Sequence, residues 1–185
     1  MRLRLSALVA ALCWLVPTTA LSNDWDALKA DDAIVLMRHA LAPGGGDPSG
    51  FQVDDCATQR NLDARGRAQA FDIGAQFAAR DIGFDTVWTS AWCRCRDTAE
   101  LLDLGAPEVL PSLNSFFAGQ GDRAGQTAAT LATLAETGGR RLLVTHQVNI
   151  TALTGVFPQS GEVIVTELKD GALRVTGRIL IEPPK

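Results

Sequence analysis

Histidine is scarce in this sequence of 185 residues, and its scarcity excludes several kinds of site. His39 and His146, the two histidines, lack the closely spaced partner ligands that a zinc site needs. The sequence has no Gly-x-Ser-x-Gly motif, which argues against a serine hydrolase. It also has no Cys-x-x-Cys pair, which argues against a thioredoxin-like redox protein. We therefore expect no metal ligands and no redox motif.

Long hydrophobic runs are also missing, apart from one near the N-terminus. Residues 5–16 are apolar, follow Arg2 and Arg4, and precede the small residues around Ala20. This run is too short for a typical transmembrane helix, and its flanks are typical of a secretory signal. We expect residues 1–20 to be a signal peptide, with export to the periplasm or the medium. Residues 21–185 would then form one domain, long enough for a hydrophobic core.

Positive charge is in deficit once the signal segment is removed. Residues 21–185 contain 15 Lys and Arg against 21 Asp and Glu, a net charge of −6. An acidic exported protein is a poor candidate for non-specific binding to nucleic acid. We expect a small-molecule partner, with no nucleic acid and no stable membrane insertion after cleavage of the signal.

Strand-like and helix-like segments alternate along the rest of the chain with short connections. This order predicts an α/β fold, a three-layer α/β/α sandwich with a mostly parallel central sheet. The predicted strands are 33–37, 86–89, 108–110, 140–145, 162–168 and 172–181, and the predicted helices are 63–80, 93–102, 121–137 and 147–155. The last two strands are expected to form an antiparallel hairpin.

Each histidine stands at the end of an apolar run that is predicted to form a strand. His39 comes after Arg38 at the end of one apolar run, and His146 ends another. Ligands of open α/β sheets bind outside the carboxyl ends of the strands, so two imidazoles at two such ends can converge on one pocket. Arg38 makes this pocket suitable for an anion, and the pairing points to phosphate chemistry.

Four segments resemble the motifs of the histidine phosphatase superfamily, also called phosphoglycerate mutase-like, and they occur in its order. Arg38-His39-Ala40 resembles the Arg-His-Gly signature, with alanine in place of the usual glycine. The second block of the family has a serine, an arginine four residues later, and Thr-Ala after four more, here from Ser90 through Arg94 to Thr98-Ala99. Segment 62–70 resembles the helix start after the first loop, and Thr145-His146 resembles the third block. Together the matches cover roughly residues 33–155.

The resemblance implies a phosphomonoester hydrolase that works through a phosphohistidine. His39 would attack phosphorus, and His146 would hydrogen-bond the transferring oxygens. Arg38 and Arg94 would offer planar forks of donors to the phosphoryl group. Water would then hydrolyse the intermediate, without metal or cofactor.

Further substrate contacts are candidates in two places. Arg60 either reaches the phosphoryl group or is solvated, and Asn61 and Gln147 are additional candidates. The loop 41–61 is long, glycine-rich and without periodicity, and loops of this kind are usually functional or mobile. Because it begins directly after His39, we expect it to border the pocket and to set specificity.

The sequence departs from the family pattern at one position that matters for catalysis. Many members carry a glutamate that acts as general acid where this chain has Ser115. A serine cannot protonate an alkoxide near neutral pH as a carboxylic acid can. The acid could come from Asp47, Asp54 or Asp55, or the substrate could have a good leaving group. The alternative functions are a non-catalytic protein that binds phosphorylated ligands on the same fold and, disfavoured by export, a phosphomutase.

Three cysteines remain after the signal segment, which predicts one disulfide and one free thiol in an oxidising compartment. Cys93 and Cys95 stand two apart in a predicted helix and project in different directions, so they should not pair with each other. We expect Cys56 to pair with Cys93, with Cys95 as the alternative partner. The bond would fasten the 41–61 loop to the helix that carries Arg94 and contribute about 3–4 kcal/mol.

Overall fold

A computed structural model of the protein describes residues 24–185, so the predicted signal segment lies outside the described residues. Six strands alternate with four α-helices. The strands are β1 (Ile34–Arg38), β2 (Thr86–Thr89), β3 (Glu108–Val109), β4 (Arg141–Thr145), β5 (Val163–Lys169) and β6 (Ala172–Ile179). The helices are α1 (Ala64–Ala78), α2 (Cys93–Leu102), α3 (Arg123–Glu136) and α4 (Gln147–Thr154).

The strands form a mixed, mostly parallel sheet in the order β3-β2-β4-β1-β5-β6. Strands β3, β2, β4 and β1 are parallel, and β5 and β6 complete one edge as an antiparallel hairpin. The predicted fold class and the hairpin are confirmed, with element boundaries differing by one or a few residues.

The central strands are buried on both faces because their apolar side chains alternate between two layers of helices. Val35 and Met37 of β1 belong to a core cluster with residues of α1 and α2. Ile34 and Leu36 belong to a second cluster with residues of α3 and α4. These two clusters on opposite faces of the sheet make the three-layer sandwich.

Helix α1 packs closely on its neighbours because glycine leaves room at two positions. A Cβ atom added at Gly74 would overlap the carbonyl oxygen of Leu102 in α2. A Cβ at Gly66 would overlap the carbonyl of Leu41, at the start of the loop that follows β1. The side chain of Asp63 caps the helix by accepting a hydrogen bond from the Gly66 N–H at 2.7 Å. The loop and α2 are therefore both packed against α1.

Within residues 24–185, no helix combines the length and the apolar character needed to cross a membrane.

Candidate active site

The register between β1 and β4 places the two histidines side by side. Arg38 at the end of β1 is opposite Thr145 at the end of β4, so His39 and His146 leave the sheet at the same level. The His39 N–H extends the ladder by donating to the Thr145 carbonyl at 3.0 Å. The two imidazole rings lie 5.6 Å apart, centroid to centroid.

Six of the seven predicted site residues line one cavity of about 350 Å³ at these strand ends, namely Arg38, His39, Arg60, Arg94, His146 and Gln147. Asn61 is not among the lining residues. Its side-chain N–H donates to the Cys56 carbonyl at 2.6 Å, so Asn61 stabilises the 41–61 loop without lining the cavity. The loop supplies part of the cavity wall through residues 44–47, in agreement with its expected position beside the pocket.

His39 is a buried neutral imidazole in a defined tautomer. Its Nδ1 lies 2.8 Å from the Ala40 carbonyl oxygen, which can only accept, so Nδ1 carries the hydrogen and Nε2 keeps a lone pair. Burial and the nearby charge of Arg94 hold the pKa of His39 well below its usual 6.5. A neutral imidazole with a free Nε2 is the form that can act as a nucleophile.

His146 is also buried and neutral, and its two nitrogens have different partners. The Nη2 of Arg94 lies 3.4 Å from Nδ1, which must accept because a guanidinium only donates. The other nitrogen, Nε2, therefore carries the hydrogen and donates to the Ser90 hydroxyl at 2.8 Å. Burial and the charge of Arg94 hold the pKa of His146 well below 6.5.

Arg94, in the first turn of α2, is 3% exposed and paired with a carboxylate from the loop. Asp47 contacts both terminal nitrogens of the guanidinium, at 2.7 Å (Oδ1 to Nη1) and 3.2 Å (Oδ2 to Nη2). The same carboxylate accepts hydrogen bonds from the indole N–H of Trp92 at 3.1 Å and from the backbone N–H of Arg60 at 3.0 Å. Burial alone would raise the pKa of Asp47, but these hydrogen bonds and the charge of Arg94 outweigh burial and lower it.

Arg38 and Arg60 add two further guanidinium groups to the cavity. Arg38 donates to the Pro158 carbonyl at 3.0 Å. Arg60 donates to the carbonyls of Gly46, at 2.9 Å, and of Ala42. Burial and the charge of Arg94 lower the pKa of Arg60 to about 10, which leaves it protonated at neutral pH. Three guanidinium groups and the single carboxylate of Asp47 stand among the described lining residues, a balance that favours an anionic ligand.

The expected disulfide joins Cys56 to Cys93, and Cys95 is free and buried. Because Cys93 begins α2, the bond fastens the loop to the residue before Arg94. Gln59 strengthens the same junction: its Oε1 accepts from the Cys93 N–H at 3.0 Å, and its Nε2 donates to the Gln52 and Val53 carbonyls. The loop is thus covalently tied to the helix that positions Arg94.

Ser115 lies in the cavity wall and is 4% exposed. The Phe117 N–H donates to its hydroxyl at 3.3 Å. The departure from the family pattern is therefore part of the site. The contact between Asp47 and Arg94 was missed by sequence reasoning, because it joins residues 47 apart through an irregular loop that no periodic signal describes.

Comparisons with known proteins agree with this architecture. The sequence model of the histidine phosphatase superfamily (branch 1) matches residues 34–122 of this chain. No curated protein sequence matches it.

Solved structures share the fold at low sequence identity. The structure of the protein histidine phosphatase SixA complexed with tungstate is 17% identical in sequence and has a TM-score of 0.58. The match covers 80% of this chain and 96% of the SixA chain. The phosphoserine phosphatase of Entamoeba histolytica, in complex with 3-phosphoglyceric acid, is 14% identical in sequence and has a TM-score of 0.58. The match covers 81% of this chain and 98% of the phosphatase chain. At these identities the likeness establishes the fold.

Removing the disulfide should weaken both the fold and the cavity. In the double variant Cys56→Ser/Cys93→Ser, we expect the free energy of unfolding to fall by about 3–4 kcal/mol, because the unfolded chain regains the entropy of the closed loop. We also expect a higher dissociation constant for inorganic phosphate, because the loop is released from α2. Urea unfolding and calorimetric titration measure the two effects, with the reduced wild-type protein as the matched comparison. Unchanged stability and affinity would contradict the role given to the bond.

The two buried histidines predict a loss of stability on acidification. Their pKa values are lowered in the folded state, so below pH 6.5 the unfolded chain binds protons that the folded protein does not. The free energy of unfolding should then decrease as the pH falls below 6.5. The slope of this decrease should approach about 1.4 kcal/mol per pH unit for each histidine. Urea unfolding from pH 7.5 to pH 5 measures this slope. The variants His39→Gln and His146→Gln should each remove about half of the histidine contribution, and an unchanged slope in the double variant would refute the assignment.

Proposed function

We propose that the protein is a phosphomonoester hydrolase that works through a phosphohistidine at His39. The observation that carries this proposal is the meeting of a neutral His39 with His146 and three guanidinium groups in one cavity. The match of residues 34–122 to the sequence model of a superfamily of phosphatases and mutases supports it.

The first step transfers the phosphoryl group to the protein. Nε2 of His39 attacks phosphorus, an N–P bond forms, and the P–O bond to the leaving group breaks. Negative charge on the transferred group is stabilised by donors already in place, and Arg38 and Arg94 provide such donors at the cavity wall. In the second step water attacks phosphorus, the N–P bond breaks and inorganic phosphate leaves.

His146 and the arginines are proposed to stabilise the negative charge of the transferring phosphoryl group. The arginines supply positive charge of the kind that metal ions supply in other phosphoryl-transfer sites, so we propose a reaction without metal or cofactor. His146 lies between Arg94 and Ser90, and its Nε2–H, which donates to the Ser90 hydroxyl in the free protein, is proposed to donate instead to a transferring oxygen of the substrate. Arg60 and Gln147 are proposed to contact the substrate, and the position of Asn61 gives it a supporting role in the loop.

Action outside the cytoplasm is part of the proposal. A signal peptide at residues 1–20 would deliver residues 21–185 as one domain, and the Cys56–Cys93 disulfide suits an oxidising compartment. The cavity volume suits a small phosphorylated substrate rather than a macromolecule enclosed whole.

A non-catalytic protein that binds phosphorylated ligands is the second candidate. It is favoured by Ser115, which stands in the cavity wall where a carboxylic acid is expected. The two functions differ in one property, because only the hydrolase forms a covalent phosphohistidine.

Replacing His39 by alanine should abolish turnover without abolishing binding. With p-nitrophenyl phosphate, whose leaving group needs little protonation, we expect the wild-type protein to turn over and His39→Ala to lose at least about 10³-fold in kcat. Rapid quenching at alkaline pH followed by mass spectrometry should detect a phosphate adduct on His39. Phosphate binding without turnover in the wild-type protein would instead establish the non-catalytic function.

The two neighbouring arginines of α2 should differ sharply in their effect. Arg94→Ala should lower kcat/KM for p-nitrophenyl phosphate by about 10²–10³-fold, because it removes a buried charged donor from the cavity. Arg96→Ala is the matched control, since Arg96 contacts the sulfurs of Cys56 and Cys93 at 3.6 and 3.7 Å and does not line the cavity. Equal losses in the two variants would show that Arg94 is not the phosphoryl-binding arginine.

A further inference from the structure

The one carboxylate among the described cavity-lining residues is held at the place where a phosphoryl group would bind. Asp47 follows three glycines, of which Gly44 and Gly46 have positive φ values of 90° and 75°. Side chains other than glycine rarely adopt this backbone. The glycines therefore allow the loop to turn into the cavity and present Asp47 to Arg94.

Asp47 occupies the part of Arg94 that a phosphoryl group would need. Its two carboxylate oxygens contact Nη1 and Nη2, the fork that binds carboxylate and phosphate alike. Nη2 also lies 3.4 Å from Nδ1 of His146. This guanidinium nitrogen thus connects the carboxylate of Asp47 to His146, whose ring centroid lies 5.6 Å from that of His39.

The other acidic candidates of the loop are elsewhere. Asp54 is exposed and does not line the cavity. Asp55 caps the short turn Cys56–Thr58, where its side chain accepts from the Ala57 N–H at 3.0 Å. Ser115, at the position of the missing glutamate, carries no proton of suitable acidity. Of the three aspartates of the loop, Asp47 is therefore the one that lines the cavity.

We propose that Asp47 is the general acid and base of this site, released for that role when the phosphoryl group of the substrate replaces it on Arg94. This inference rests on the proposed hydrolase function and supplies the proton that Ser115 cannot.

The exchange of anions on Arg94 explains how an ionised carboxylate becomes an acid. In the free protein Asp47 faces Arg94 of α2, the Arg60 N–H and the Trp92 indole, and the charges of Arg38 and Arg60 and the neutral histidines lie around the same cavity. Its pKa is lowered in this state. Once a phosphoryl dianion takes the Arg94 fork, Asp47 loses two charge-assisted hydrogen bonds and gains a negative neighbour. Both changes raise its affinity for a proton, which it takes from solvent.

The proton then follows the two steps of hydrolysis. As the His39 Nε2–P bond forms and the P–O bond breaks, the proton of Asp47 moves to the leaving oxygen and an alcohol departs. In the second step the attacking water gives a proton to Asp47, the N–P bond breaks and inorganic phosphate leaves. Asp47 returns to Arg94 and releases the proton, so the net reaction consumes one water and produces an alcohol and phosphate.

The dependence of the rate on the leaving group tests this role. The value of kcat/KM includes the steps up to departure of the alcohol, so it reports protonation of the leaving oxygen. For Asp47→Asn we expect a loss of about 10²–10⁴-fold with glycerol phosphate, whose alkoxide needs a proton, and of less than about tenfold with p-nitrophenyl phosphate. Asp54→Asn, a carboxylate change in the same loop outside the cavity, should alter neither value. Asp47→Glu should regain part of the lost activity on glycerol phosphate.

Proton uptake provides a readout that does not need turnover. Titration calorimetry with tungstate, in buffers of different ionisation enthalpy at neutral pH, should show uptake of up to about one proton by the wild-type protein and less by Asp47→Asn. Thermal unfolding and a thiol assay confirm that the variant keeps its fold and its disulfide.

The outcomes separate this inference from the proposed function. Equal losses on both substrates would make Asp47 a positioning residue for Arg94, and gains on both would make it a competitor of phosphate; either result overturns the general acid. If the wild-type protein binds tungstate but hydrolyses neither substrate, the hydrolase function fails and the assignment fails with it. If the wild-type protein hydrolyses both and Asp47→Asn keeps their ratio, only the assignment of Asp47 fails.

Discussion

The parallel pairing of β1 with β4 is the constraint on which the site depends. The hydrogen bond from the His39 N–H to the Thr145 carbonyl continues that pairing beyond the strand and brings the next residue, His146, level with His39. A shift of one residue would turn every side chain of β1 to the opposite face. Both faces of β1 are apolar and buried, so hydrophobicity alone does not penalise such a shift. The polar groups at the strand ends and the helices on each face must help to hold the register.

The buried positive charge of Arg94 is stabilised because a negatively charged group is paired with it. Arg94 is almost completely buried, and an unpaired charge at that depth would cost several kcal/mol. Asp47 supplies the counter-charge while the cavity is free, and a phosphoryl group would supply it once bound. Binding of a phosphoryl group would then be an exchange of one anion for another, in which Arg94 never lacks a partner. The energetic cost falls on Asp47, which must give up its two hydrogen bonds with Arg94, and binding a proton can offset this cost.

Local patterns predicted much of the fold and of the site. Apolar runs that each end in a histidine identified β1, β4 and the pair His39 and His146, because strand period and sheet-end geometry are properties of short segments. Local geometry also excluded a Cys93–Cys95 bond, since cysteines two apart on a helix cannot meet, and left Cys93 and Cys95 as possible partners of Cys56; the bond joins Cys56 to Cys93. The contact of Asp47 with Arg94 did not, because the path of an irregular loop is set by tertiary contacts. Asn61 shows the same limit: it adjoins Arg60 in the sequence, yet its side chain binds the loop and not the cavity.

Because the proposed acid comes from the loop, the proposed catalysis would depend on the disulfide and so on the redox state of the compartment. A glutamate at position 115 would be supplied by the chain that follows β3, independently of the 41–61 loop. Asp47 instead depends on the path of that loop, and the disulfide and Gln59 fasten the loop to the start of α2, one residue before Arg94. Reduction would therefore remove the covalent link between the loop that carries the proposed acid and the helix that carries its arginine partner. Under the proposed export this bond would persist in an oxidising compartment, whereas the same site in a reducing cytosol would keep only the non-covalent contacts between the loop and α2.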